Sequence, residues 1–330
     1  MRQGRLTWLC LTGFLLGLVL TACGPRQDDR APFAESRTPP SLGAPYLPPE
    51  GWAWGYLGLN GGPVRRYGVS SPPVAPRAQI IILPGYGESA EAWFETVRDL
   101  NARGFNVWVL EAAGQGGSER YATPRDLGHA PDLQPDADAV RALVLAVIRP
   151  AAGEQVLLIA SGSSAPLALR AAEGRGFGLT GLVLSDPQPL VQTSTASIFS
   201  FRLPEGRASG QSAWRRPELS TLSPRRAAVA RWSIANPDLR IGGFSWGYLD
   251  AWMRINGLAA RPGGLRQIRI PSLVISRTPA RSGDICRQIP DCRRVVLRTT
   301  ESYAWAPDEV RSVWLSHLAA MATAPPSPRR

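Results

Sequence analysis

The sequence predicts an α/β fold: a mainly parallel sheet with helices on both faces. Two observations carry this. Short apolar runs alternate with stretches of helical periodicity from about Gln79 to Met321. One run, Val156–Ala160, passes within a few small residues into the packed face of a helix, Leu167 to Ala172. That is the pattern of a buried parallel strand feeding its crossover.

In order, Trp52–Leu59 and Val64–Val69 read as two strands joined by N-G-G, a hairpin signal. Gln79–Leu83 is a buried strand ending in P-G-Y-G-E. Ala90–Arg103 has helical periodicity and stops at Gly104. Asn106–Leu110 is the next strand, followed by the glycine-rich A-A-G-Q-G-G-S, and Pro135–Arg149 is helical. Leu182–Leu184, Ile270–Ser276 and Arg294–Leu297 complete the strands, and Asp308–Met321 is a closing amphipathic helix. No internal repeat is visible.

Pro187–Gly264 breaks the alternation. It has no clear strand pair, several helix-like runs, and Trp214, Trp232, Trp246 and Trp252. An insertion after a central strand reads as a helical cap over the carboxyl edge of the sheet. Its tryptophans are expected to pack cap against core, with an apolar ligand wall as the alternative.

The 330 residues carry a net charge of +11, or +9 without Arg2 and Arg5. Such a surface favours anionic neighbours such as lipid headgroups, lipopolysaccharide or acidic polymers. The arginines are scattered, with no basic helix, zinc spacing or aromatic-basic strand motif, so nucleic acid is not the expected partner.

Residues 1–22 read as an export signal: Arg2 and Arg5, then an apolar run from Leu6 to Leu20. The following L-T-A-C-G resembles a bacterial lipobox. The resemblance implies a lipidated Cys23 as the first mature residue, anchoring the protein to a membrane without spanning it. Gly24 rather than Asp implies the periplasmic face of the outer membrane. The Pro-rich residues 23–49 are expected to be an extended tether, and 323–330 a disordered tail. The body then comprises 50–186 and 265–322, with 187–264 as cap.

Between strand and helix at 161–165 stands S-G-S-S-A. A strand turning into a helix this sharply needs one residue at positive φ with small neighbours, the shape of a nucleophile elbow.

Several motifs now recur in one order: I-I-L-P-G-Y-G-E-S, G-Q-G-G-S-E-R, L-G-H-A-P-D-L, L-V-L-S-D-P and N-P-D-L-R-I-G-G-F-S-W-G-Y-L. Together they resemble bacterial lysophospholipases of the α/β-hydrolase superfamily, in the monoacylglycerol-lipase-like, S33-type branch. The resemblance covers roughly residues 50–322. It implies a sheet of about eight strands, a helical cap, and acyl-ester hydrolysis by a Ser-His-Asp triad without cofactor or metal.

The triad is not found at the family's positions. Laid without gaps on Ile159–Arg170, the family's elbow places its serine on Gly162; a shift of one residue restores Ser163. The ungapped fit is favoured because glycine suits the strained tip. The acid should follow the strand ending at Ser276, but S-R-T-P-A-R stands there and no carboxylate comes before Asp284. The base should follow the strand Val295–Leu297, where Ser302 or Glu301 takes its place. The chain has two histidines. His129 lies in L-G-H-A-P-D and is expected to hold a loop; His317 falls in the last helix, as a packing or surface residue.

Serine needs an adjacent base to give up its proton. Ser163 is nonetheless the candidate nucleophile and Asp186, after the strand Leu182–Leu184, the candidate acid; a turn or cap role is the alternative for Asp186. The oxyanion hole is expected from the N–H groups of Tyr86 and of Ser163 or Ser164, just after the tip. Cys286 and Cys292 lie close together in an exported chain and are expected to bond.

The sequence therefore points to an envelope-facing, lipid-anchored α/β-hydrolase-fold protein. It is expected to be catalytically degenerate and to hold a lipid or acyl-ester ligand under the cap, or to act through a partner. The alternatives are a working esterase using Ser163 and a purely structural envelope lipoprotein. Oligomeric state and ligand identity stay open.

Overall fold

The computed structural model describes residues 30–33, 35–174, 177–190 and 202–323. The leader 1–22, Cys23 and the tail from 324 onward lie outside the described residues, as does the side chain of Asp284.

Eight strands form one sheet: β1 (Ala53–Leu57), β2 (Arg65–Ser70), β3 (Gln79–Leu83), β4 (Asn106–Leu110), β5 (Val156–Ser161), β6 (Gly181–Ser185), β7 (Ser272–Ser276) and β8 (Cys292–Val296). Their order is β1-β2-β4-β3-β5-β6-β7-β8. Only β2 runs against its neighbours; every pair from β4 to β8 is parallel. The helices are α1 (Phe94–Asn101), α2 (Gln134–Ala142), α3 (Ala165–Ala172), α4 (Pro224–Ala235), α5 (Trp246–Ala259), α6 (Pro279–Gln288) and α7 (Asp308–Ala322).

The central strands are apolar throughout because both faces are covered. Successive side chains alternate between the faces. Ile81, Leu83, Leu158 and Ala160 pack with Val140 and Leu169 of α2 and α3. Ile80, Ile82, Leu157 and Ile159 pack with Val97 of α1 and Trp314 and Leu318 of α7.

Three local differences from the sequence reading have physical reasons. Helix α6 was not expected, since P-A-R-S-G-D is a poor helix former, yet the parallel β7–β8 pair needs a crossover. The helix expected from Ala90 opens with a 3-10 turn, Ala90–Trp93. The helix expected over Pro135–Arg149 is α-helical to Ala142 and then π-helical over Leu143–Ile148; it ends where Arg149 turns left-handed at φ 49°.

Among the described residues 30–33 and 35–49, expected to belong to the tether, several are bonded to the body. The Phe33 N–H donates to the Gly117 carbonyl at 2.7 Å, and the Arg120 N–H to the Arg30 carbonyl at 2.8 Å. Asn236 holds both backbone groups of Arg37, accepting from its N–H at 2.7 Å and donating to its carbonyl at 2.9 Å. Phe33 and Leu42 pack on a small cluster of Phe94, Trp232 and Leu239. Prolines remove donors but leave these pairings free to form, so a Pro-rich composition did not mean a free chain here.

The insertion between β6 and β7 contains α4 and α5 among its described residues. Trp232 is buried edge-on against Phe94, with centroids 5.5 Å apart. Arg225 at the start of α4 grips Glu95 of α1 through Nε at 2.8 Å and donates to the Ala306 carbonyl at 3.0 Å. The insertion is thus pinned to the sheet domain from both ends of α4. No helix among the described residues is long and apolar enough to cross a membrane.

Candidate active site

The β5–α3 junction has the shape of an elbow. Gly162 sits at φ +51° between the last β5 residue, Ser161, and a 3-10 turn, Gly162–Ser164, that leads directly into α3. A Cβ built on Gly162 would meet no atom within 4 Å. The tip therefore points into open space and has no side chain to project there.

Ser163 is one residue beyond the tip. Its Oγ accepts the Tyr86 N–H at 2.8 Å. The backbone donor expected to form half of an oxyanion hole is thus bonded to the chain's own hydroxyl. Ser164, the other residue expected at the hole, is buried and donates its hydroxyl to the Pro84 carbonyl. Trp252 of α5 donates from Nε1 to the Ser163 carbonyl at 3.2 Å, so the insertion rests on the elbow itself.

Tyr86 ties the same region to the insertion. Its hydroxyl donates to the Gly242 carbonyl at 2.9 Å, and its ring lies 4.9 Å from that of Tyr248. Burial pushes the phenol pKa well above its ordinary value.

The acid and base positions hold a different arrangement. Asp186 follows β6 at φ +50°, a conformation that aspartate tolerates better than most residues, and its N–H donates to the Ile275 carbonyl at 2.7 Å. Its carboxylate is gripped by Arg277, the first residue after β7: Nε donates to Oδ2 at 2.7 Å, and Nη2 donates to the same oxygen. Arg277 Nη1 also donates to the Thr300 carbonyl at 3.2 Å, in the loop after β8. One guanidinium therefore spans the loops after β6, β7 and β8. Its hydrogen bond to Asp186 raises its own pKa further. A strongly basic, always-protonated group offers no proton acceptor for a serine.

Of the two candidates for the base position, Glu301 accepts from Ser223 Oγ at 3.1 Å, at the N-terminus of α4. Ser302 precedes the short 3-10 turn Tyr303–Trp305, its carbonyl accepting the Trp305 N–H at 2.9 Å. His129 is buried and bonded through Nδ1 to Ser245 Oγ at 2.8 Å; burial lowers its pKa. Ser245 also accepts the Tyr248 N–H, so His129 holds its loop to the N-terminus of α5. His317 is half-buried on α7, its pKa lowered by burial and by Arg293.

Sequence reasoning missed Glu88, Arg277 and Trp252 as site residues. Glu88 accepts the Gly85 N–H at 2.7 Å, Trp93 Nε1 at 3.2 Å and Ser161 Oγ at 3.3 Å. Burial pushes its carboxyl up from 4.5 against these bonds. Its signal was present in P-G-Y-G-E-S, as an acid in an otherwise small, neutral turn. The signal of Arg277 was a lone cation directly after a strand; its pairing with Asp186 depends on β6 and β7 being neighbours.

Beside the loop after β3 lies a groove of about 210 Å³. Gly87 and Ser89 form one side, and Arg226, Val229, Ala230 and Trp305 are among the residues of the other. Among the described residues no group of His, Cys, Asp and Glu could hold a metal ion. Cys286 and Cys292 are joined by a disulfide between α6 and β8, with Cα atoms 5.1 Å apart.

Residues 74–276 match the family model for serine aminopeptidase, S33, a hydrolase family. The chain belongs to this family. It agrees with the lysophospholipase and monoacylglycerol-lipase-like branch implied by the motif order. Among solved structures, it is similar to a soluble variant of a Saccharomyces cerevisiae monoglyceride lipase in complex with a substrate analogue. The TM-score is 0.64 at 13% identity, over 83% of this chain and 95% of that one. A lipase in an open form gives 0.60 at 16% identity, over 84% and 100%. A Paleococcus ferrophilus monoacylglycerol lipase gives 0.56 at 17%, over 77% and 97%. At these identities the likeness is one of fold. No curated protein matches the sequence.

Proposed function

We propose that this α/β-hydrolase is catalytically degenerate and holds a lipid-like ligand at the edge where its relatives react. The observation that carries this reading is the Arg277–Asp186 pair with its reach to Thr300. The acid is bonded to a permanent cation, the loop that should bring the base meets the same cation, and the elbow tip is glycine. Proton transfer from a serine would need a neutral base within hydrogen-bond reach; His129, the buried imidazole, is bonded into a loop contact instead.

The ligand reading rests on the groove. Val229, Ala230, Leu222 and Leu239 give it apolar walls, and Arg226 supplies a cation. That pairing suits an anionic amphiphile such as a fatty acid or a lysophospholipid. The α4–α5 insertion acts as a cap held by Arg225 and Trp252. Export by the lipobox at Cys23 would place the protein at the envelope, tethered through residues 23–29.

The Ser163 hydroxyl, in contact with Tyr86 N–H, keeps a serine-esterase reading open. Turnover of short p-nitrophenyl acyl esters and of lysophosphatidylcholine, together with binding of a fluorescent fatty acid, separates the two. The proposal expects saturable binding, weakened by Val229→Trp, without turnover. Ester hydrolysis lost in Ser163→Ala would replace it with the esterase.

A further inference from the structure

We propose that α4, with the segment leading into it, is a docking surface for an anionic phospholipid bilayer. Residues 202–240 hold eight arginines against three acids, a local excess in a part of the chain that contributes no strand. Four of those arginines are committed: Arg202 to the Trp246 face, Arg207 to Asp126, Arg225 to Glu95, and Arg240 to carbonyls and the Trp214 face. Four are not. Arg215, Arg216 and Arg226 are exposed and Arg231 half-buried, and none is joined to a carboxylate among the described residues.

The four lie along one stretch of chain: Arg215 and Arg216 before α4, and Arg226 and Arg231 on it, about 140° apart around its axis. Arg216 precedes Pro217, and Pro217 and Arg226 border the groove. Arg231 stands one turn before Ala235, whose carbonyl accepts from exposed Arg37 at 3.1 Å. This basic band of sequence thus runs from the groove to the end of α4, where Arg37 adds a further cation.

The proposed lipidation at Cys23 selects a membrane as the occupant. The described residues start at Arg30, ahead of the contact with the insertion at Arg37. Seven residues from Cys23 can span at most about 25 Å. A lipid on Cys23 therefore keeps this side of the body within a short reach of the bilayer, where an uncompensated basic band meets anionic headgroups. The orientation rests on the proposed lipidation; the affinity of the band for headgroups does not.

The test uses the chain from residue 23 with Cys23→Ser, which keeps every described residue and carries no lipid. Flotation with phosphatidylglycerol–phosphatidylcholine vesicles is compared with phosphatidylcholine alone. Each arginine near an anionic surface contributes roughly five-fold to partitioning, so R215Q/R216Q/R226Q/R231Q should weaken binding to anionic vesicles on the order of several hundred-fold. Added salt should weaken it in the unsubstituted chain. The control R266Q/R269Q/R293Q/R294Q removes equal charge outside the insertion, from the segment before β7 and from β8, and should bind nearly as the parent does. Circular dichroism establishes that both variants are folded. Equal losses in the two variants, equal binding to both vesicle types, or no binding at all overturns the docking face. Absence of lipid on Cys23 in cells would remove the anchor while leaving this vesicle result intact, so the two failures are distinguishable.

Discussion

Arg277 and Asp186 end neighbouring parallel strands, and the guanidinium Nε lies 2.7 Å from the carboxylate. Asp186 is 7% exposed, so its charge is largely removed from water. Breaking such a pair by deleting one partner leaves a buried charge poorly compensated.

The first prediction concerns that pair. Arg277→Met and Asp186→Asn should each destabilise the fold, and a double-mutant cycle should give a coupling of about 1–2 kcal/mol. Urea unfolding of the four proteins measures it. Additive effects would mean that the contact is an incidental surface pairing.

Gly162→Ser tests the elbow. The side chain has open space, with nothing within 4 Å of its Cβ, but φ +51° strains a non-glycine residue. The variant should fold and lose about 1–2 kcal/mol. It should also stay inactive on acyl esters, because a serine at the tip still has no base.

Glu88 predicts a pH dependence. Its carboxyl is raised by burial, so the folded state holds the proton to higher pH than the unfolded chain does. Its contribution is therefore fully present below the ordinary carboxylate range and is lost as pH rises through the folded pKa. Relative to the parent, Glu88→Gln should flatten the fall in stability from pH 4 upward. Thermal melts across that range check this; parallel curves for the two proteins would contradict it.

Asn236 ties the N-terminal segment to the insertion. Asn236→Ala removes both bonds to Arg37 and should cost about 1–2 kcal/mol. Hydrogen exchange should lose protection at the Arg37 amide while β5 and β6 are unchanged.

Cys286 and Cys292 close a loop with a sequence separation of six. Replacing both by serine should cost about 2 kcal/mol, the value for so short a loop. An unchanged urea midpoint would contradict it.

The sheet was legible because its central strands are apolar on both faces and its turns carry glycine at fixed places. Val156–Ala160 followed by S-G-S-S-A could be read as an elbow with Gly162 at its tip, and Gly162 carries the positive φ. Helix α6 was not legible, since its residues are polar and weak helix formers and only the crossover demands it. The site was legible mostly as missing residues: no histidine in the loop after β8 and no acid in the S-R-T-P-A-R that ends β7. What replaced them was not, because the Arg277–Asp186 contact depends on β6 and β7 being neighbours, a fact of topology rather than of local spacing. Likewise Ser163 could be named, but not that its hydroxyl turns to the Tyr86 N–H. The docked segment 30–49 was hidden by its proline content, since its contacts are to distant residues such as Gly117 and Asn236.

The most direct test of catalytic degeneracy is intact-mass analysis of the purified mature protein after incubation with a fluorophosphonate. The probe forms a covalent adduct only with a serine activated by a base. The Gly162 tip and the Arg277–Asp186 pair predict an unmodified mass after prolonged exposure. A stoichiometric adduct mapped to Ser163, and absent in Ser163→Ala, would contradict degeneracy and make this chain a working serine hydrolase.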